Sequence, residues 1–117
     1  ADASALNHAC GADYVKTNQK PPPAALEILK KGQRACSLDG DADRVVYYHL
    51  NAEDGKFRLL DGDKIATLAA GFIGDLVKQA GLADKLKIGV VQTAYANGSS
   101  TQYLQSNVSL RRIGFMT

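Results

Sequence analysis

The chain has 117 residues, 45% of them apolar, and a formal charge of only +2. That is enough for one ordinary domain with a single core. The basic residues are scattered, Lys30-Lys31 and Arg111-Arg112 being the densest pairs, which argues against nucleic acid as a partner. No apolar run approaches the roughly 20 residues of a membrane span, and no charged-then-apolar leader opens the chain. Cys10 and Cys36 lack any CxxC or Cys/His ligand spacing. They read as small buried thiols in a reducing, cytoplasmic setting. The first residue is alanine, which reads as a fragment or an excised domain.

In chain order, residues 3–10 place Ala5, Leu6, Ala9 and Cys10 at helical spacing, with Gly11 as the stop. Asp13 to Lys16 reads as a short strand, and Pro21 to Pro23 as an extended, flexible loop. Ala24 to Lys31 is a helical turn ended by Gly32, leading into the apolar strand Ala35 to Leu38. Val45 to Leu50 and Phe57 to Leu60 are β-branched and aromatic runs around the turn residues Asn51 to Lys56, and predict a β-hairpin. Tyr47, Tyr48 and Phe57 are expected to pack that hairpin on a helix. Asp61-Gly62-Asp63 opens the strongest amphipathic helix, with Ile65, Leu68, Ala69, Phe72, Ile73, Leu76 and Val77 on one face and an end near Gly81. Asp61 and Asp63 read as residues capping its start. Lys87 to Gln92 is a strand, Ala94 to Ser100 a polar turn, and Ser99 or Ser100 caps a last helix through Tyr103 and Leu104. The alternation predicts an α/β fold, a three-layer α/β/α domain with a mixed, mostly parallel sheet of about four strands that includes the hairpin.

The chemistry gathers in Asp39-Gly40-Asp41-Ala42-Asp43-Arg44, directly after the strand ending at Leu38. In an α/β sheet this is the ligand edge. Three carboxylates at alternate positions repel one another and must take up protons or a cation. Oxygen ligands of this kind suit a hard ion such as Mg²⁺, and the adjoining arginine suits a phosphate. On an extended strand, residues two apart lie about 6.6 Å apart, so the backbone has to curl, which Gly40 and the small Ala42 permit. A calcium EF-hand fails, because it wants Gly and Glu where this chain has Arg44 and Leu50. A haloacid dehalogenase-type, Mg²⁺-dependent phosphatase would use D-x-D-x-T/V, but Asp43 stands at the Thr/Val position. A non-catalytic module binding a metal or a phosphosugar is a further alternative. His8 and His49 fall in no ligand spacing, and Lys20 and the 93–100 turn are left without a role.

Ser37 to Arg44 resembles the metal-binding loop of the α-D-phosphohexomutases. Leu6-Asn7-His8, Gly11 to Lys16, Gln19 to Pro22, Leu60 to Thr67 and Gly89 to Thr101 extend the resemblance to members acting on N-acetylglucosamine phosphates. It implies the second, metal-binding domain over residues 1–106, with 107–117 a tail that does not match. It also implies an enzyme that interconverts the 6- and 1-phosphates of N-acetylglucosamine through a phosphoserine and a bisphosphorylated sugar, on the route to UDP-N-acetylglucosamine. Asp39, Asp41 and Asp43 would hold Mg²⁺, and Arg44 would contact the active-site phosphate. Neither Ser37 nor Ser99-Ser100 matches the motif of the phosphoserine. The missing domains are thus implied partners, and these 117 residues alone are expected to be inactive.

Overall fold

The computed structural model describes residues 3–86, 88–93, 98–107 and 112–116. Its backbone divides into two units, Ala1–Gly62 and Asp63–Thr117.

The first unit is built on a three-stranded sheet of β1 (Arg34–Leu38), β2 (Val45–Leu50) and β3 (Phe57–Leu60). Both pairings are antiparallel, with β2 in the centre: Leu38 faces Val45, and Leu50 faces Phe57. The hairpin read from the sequence is therefore present. Alternation along β2 turns Val46 and Tyr48 inward, where both are buried, and leaves Tyr47 exposed. They pack with Ala12 and Val15 of helix α1 (Gly11–Asn18), and Val15 has no exposed surface at all. Each large apolar side chain buried this way contributes about 1.5–3 kcal/mol. Phe57 completes the layer, its ring 5.8 Å from that of Tyr48 at 36°, an arrangement favourable for aromatic pairs. Tyr47 does not join this packing.

Helix α1 replaces the short strand expected at Asp13 to Lys16. Ala12 and Val15 lie three apart, on one face of a helical turn, and burying both against β2 favours the helix over an isolated strand. Gly11 starts the helix instead of stopping one, at φ +88°. Residues 3–10 hold only a 3₁₀ turn, Ala3–Ala5. Pro21 and Pro22 are buried, so the expected flexible loop is a packed segment. Pro23 then opens the short helix α2 (Pro23–Leu26), at a position where its missing N–H costs nothing.

The second unit holds all but the first residue of α3 (Gly62–Gln79), with β4 (Gly89–Thr93), α4 (Gly98–Asn107) and β5 (Arg112–Met116). α3 follows the predicted bounds, although its apolar stripe is largely open: Ala70 is buried, while Leu68 and Phe72 are exposed. Ala70, Leu104 and Val90 form the core. β4 and β5 pair in parallel, Val91 opposite Gly114, with α4 as the crossover that parallel strands require. β5 lies within the stretch 107–117, to which no element was assigned from sequence. α4 begins at Gly98, so Ser99 and Ser100 sit inside its first turn and do not cap it. Residues 94–97 of the expected polar turn lie outside the described residues.

The expectation of one mixed, mostly parallel sheet in a three-layer α/β/α domain is thus corrected. The strands form two sheets, an antiparallel triplet and a parallel pair. The cause is connection length. Only residues 39–44 separate β1 from β2, and a parallel return needs a crossover of a dozen or more residues.

Candidate metal centre

The acid loop Asp39 to Arg44 is the tip of the β1–β2 hairpin, closed by the Asp39 N–H donating to the Arg44 carbonyl at 3.3 Å. It is not the edge of a parallel sheet. The curl demanded by the spacing is made at Ala42, at φ +59°, with the Ala42 N–H donating to the Asp39 carbonyl at 3.1 Å. Gly40 serves a different need. A Cβ there would stand 2.8 Å from Nδ2 of Asn7, the far end of an exposed side chain, so a larger residue would have to move that amide aside.

One carboxylate oxygen from each of Asp39, Asp41 and Asp43 falls within 4.8 Å of the other two. The Asp39 side chain is only 2% exposed, whereas Asp41 and Asp43 face solvent. Asp39 accepts from the Arg44 backbone N–H at 3.0 Å and from its Nε at 2.8 Å. Nε of Arg44 lies 3.6 Å from Asp43, and its Nη1 donates to Asp13 on α1.

Burial alone would raise the Asp39 carboxyl, but the Arg44 N–H, the hydrogen bond with Asp43 and the guanidinium together bring it down to about 2. Asp43 moves the opposite way, raised by its hydrogen bond with Asp39 and then by the charges of Asp39 and Asp41. Arg44 is raised by Asp13 first and Asp39 second. The loop therefore holds a fixed anion in Asp39 beside a carboxyl, Asp43, whose ionisation the neighbouring aspartates disfavour. A small hard cation supplies positive charge to an all-oxygen donor set, and the three aspartates fit one.

The remaining candidates lie elsewhere. Ser37 shares a 3.1 Å hydrogen bond with the Tyr48 hydroxyl. His49 sits in β2 between Arg34 and Arg58, while His8 and Lys20 are exposed. Asp61 directly precedes α3, and Asp63 is in its first turn. Thr93 ends β4. Sequence reasoning missed Asn7 and Asp13 as neighbours of the loop. The one available signal was helical spacing across Gly11 to Asn18, which would have put an acid near the start of a helix.

A sequence model of phosphoacetylglucosamine mutase AMG1 domain II matches residues 2–46, and one of domain III of the same protein matches residues 61–116. The chain belongs to the phosphoacetylglucosamine mutase family. It is 61% identical over 100 residues to the phosphoacetylglucosamine mutase of Homo sapiens, covering 86% of this chain and 18% of that one. The Saccharomyces cerevisiae mutase is 54% identical over 107 residues, again covering 18% of its own length. Among solved structures, Aspergillus fumigatus N-acetylphosphoglucosamine mutase in complex with GlcNAc-6P and magnesium superposes with a TM-score of 0.85 at 59% identity, over 96% of this chain and 20% of that one. The apo form of another N-acetylglucosamine-phosphate mutase of the α-D-phosphohexomutase superfamily gives 0.81 at 49% identity, over 94% and 23%. The chain thus spans about a fifth of the length of the phosphoacetylglucosamine mutases it matches. The second match begins at 61, beside the division between the two units, and runs through the stretch 107–117.

Proposed function

We propose that these residues are the metal-binding part of a phosphoacetylglucosamine mutase, with Asp39, Asp41 and Asp43 holding Mg²⁺ and Arg44 contacting a phosphate of the substrate. The whole enzyme would interconvert N-acetylglucosamine 6-phosphate and N-acetylglucosamine 1-phosphate. The observation that carries the reading is the convergence of the three carboxylates within 4.8 Å beside Arg44, in a chain so similar to a mutase solved with GlcNAc-6P and magnesium.

Bound Mg²⁺ would supply positive charge to the phosphoryl oxygens at the moment of transfer. The chain's own residues do the placing. Asp39 is held rigid by Arg44 and fixes one side of the donor set. Asp41 and Asp43 offer exposed carboxylates toward incoming ligands. Arg44 brings a guanidinium to the same loop, where it can meet phosphate oxygens. Phosphoryl transfer gains most from such positioning and charge neutralisation. Alone, the 117 residues supply this loop but no matching phosphoserine motif, and they turn over no sugar phosphate.

The test is made in a full-length mutase carrying these residues. Asp41→Asn and Arg44→Ala should each lower conversion of N-acetylglucosamine 6-phosphate by more than about tenfold, and added Mg²⁺ should partly restore only Asp41→Asn. Full activity in both variants would defeat the proposal.

A further inference from the structure

Arg44 is held from two sides. Its Nε donates to the buried Asp39 at 2.8 Å and its Nη1 donates to Asp13, 31 residues earlier and on α1. Asp13 belongs neither to the loop nor to the metal-ligand set. Among the described residues Nε and Nη1 are the nitrogens engaged, which leaves Nη2 to face a ligand. A guanidinium tethered only through Nε can turn toward Asp43, whose Oδ1 already lies 3.6 Å from Nε. It would then neutralise Asp43 as well as Asp39 and leave less charge for a phosphate.

We propose that Asp13 is a positioning residue, clamping Nη1 of Arg44 so that the guanidinium, hinged on Asp39, does not swing further onto Asp43 and presents Nη2 to a phosphate oxygen. The proposal rests on the reading of Arg44 as the phosphate contact. α1 gives the clamp its rigidity: Ala12 and Val15, flanking Asp13 in the helix, are buried against Val46 and Tyr48. The pair is itself exposed, at 54% for Arg44 and 65% for Asp13. Such a pair adds little to stability, and orientation is what it supplies.

The sign of the effect separates orientation from plain charge. Removing a carboxylate beside a phosphate site strengthens anion binding if Asp13 acts only through its charge. It weakens binding if Asp13 aims the guanidinium. The experiment titrates the 117-residue chain with inorganic phosphate in the presence of Mg²⁺, following the side-chain ¹⁵N signals of Arg44. In the wild type the two Nη signals should be resolved and should shift with phosphate. In Asp13→Ala they should merge through rotation about Nε–Cζ, the Nε signal should persist through Asp39, and phosphate affinity should fall roughly three- to tenfold. Asp13→Asn keeps an acceptor without the charge, and should retain resolved signals and most of the affinity.

Equal or tighter phosphate binding in Asp13→Ala, or unmerged Nη signals there, overturns the clamp while leaving Arg44 as the phosphate contact. An Arg44→Ala chain that binds phosphate as the wild type does overturns both readings, as does a wild type whose Arg44 signals ignore phosphate.

Discussion

Asp39 accepts two hydrogen bonds from Arg44, one from its backbone N–H and one from Nε, so the first and last residues of the acid loop close it into a ring. The ring explains why one aspartate of three is buried and fixed while two stay open to solvent.

Closure sets opposite titrations within the loop. Asp39 is lowered to about 2 from the usual 3.8, so its contribution to stability is present above 3.8 and is lost as pH falls toward 2. Asp43 is raised above 3.8, so ionising it disfavours the metal-free fold, and that penalty disappears as pH falls through its folded value. Carboxyl ¹³C titration should therefore find Asp43 protonating before Asp39 on acidification. Saturating Mg²⁺ should pull Asp43 down. An Asp43 that titrates below Asp39 in the metal-free chain would contradict the ring.

Gly40 stands against Asn7. A Cβ at residue 40 would stand 2.8 Å from Asn7 Nδ2, the far end of an exposed side chain, so Gly40→Ala should push that amide aside and weaken Mg²⁺ binding only about threefold. Asn7→Gly tolerates the φ of +62° at that position and should restore much of the affinity in the double variant. Strict additivity of the two changes would show that the residues do not meet.

Val15 anchors α1, and with it Asp13. Truncation to alanine should cost about 2 kcal/mol in urea unfolding. It should also loosen the side-chain signals of Arg44, although Val15 does not touch that residue's ion pairs. Stability lost without any change at Arg44 would uncouple helix packing from the loop.

In the second unit Gln92 is buried, donating to Ser100 at 3.2 Å and accepting from Thr101 at 2.9 Å. Gln92→Leu removes both bonds and should cost about 1–3 kcal/mol. Faster amide exchange over the first turn of α4, with the β1–β3 amides unchanged, would verify that the cost is local.

Much of this was legible in the residues. The runs Val45 to Leu50 and Phe57 to Leu60 alternate, and residues 62–79 repeat at helical spacing, so each element could be found from its own pattern. The acid loop was found from charge alone, since three close aspartates need compensation whatever the fold. The mostly parallel sheet expected from strand-helix alternation fails because the short 39–44 connection forces an antiparallel return. Helix α1 was missed because Tyr14 and Val15 have β propensity and the burial that overrides it comes from β2. The Asp13–Arg44 pair joins residues far apart in the chain, and no local pattern announces such a contact.

The most direct test is a Mg²⁺ titration of the 117-residue chain at neutral pH, following the backbone amides of 39–44 in the wild type and in Asp41→Asn. Asp41 is exposed, so the substitution should leave stability within about 0.5 kcal/mol of the wild type. The account predicts saturable shifts confined to the loop and its neighbours, weakened by more than about tenfold in the variant. Equal binding by both chains, or shifts that bypass residues 39–44, would contradict it.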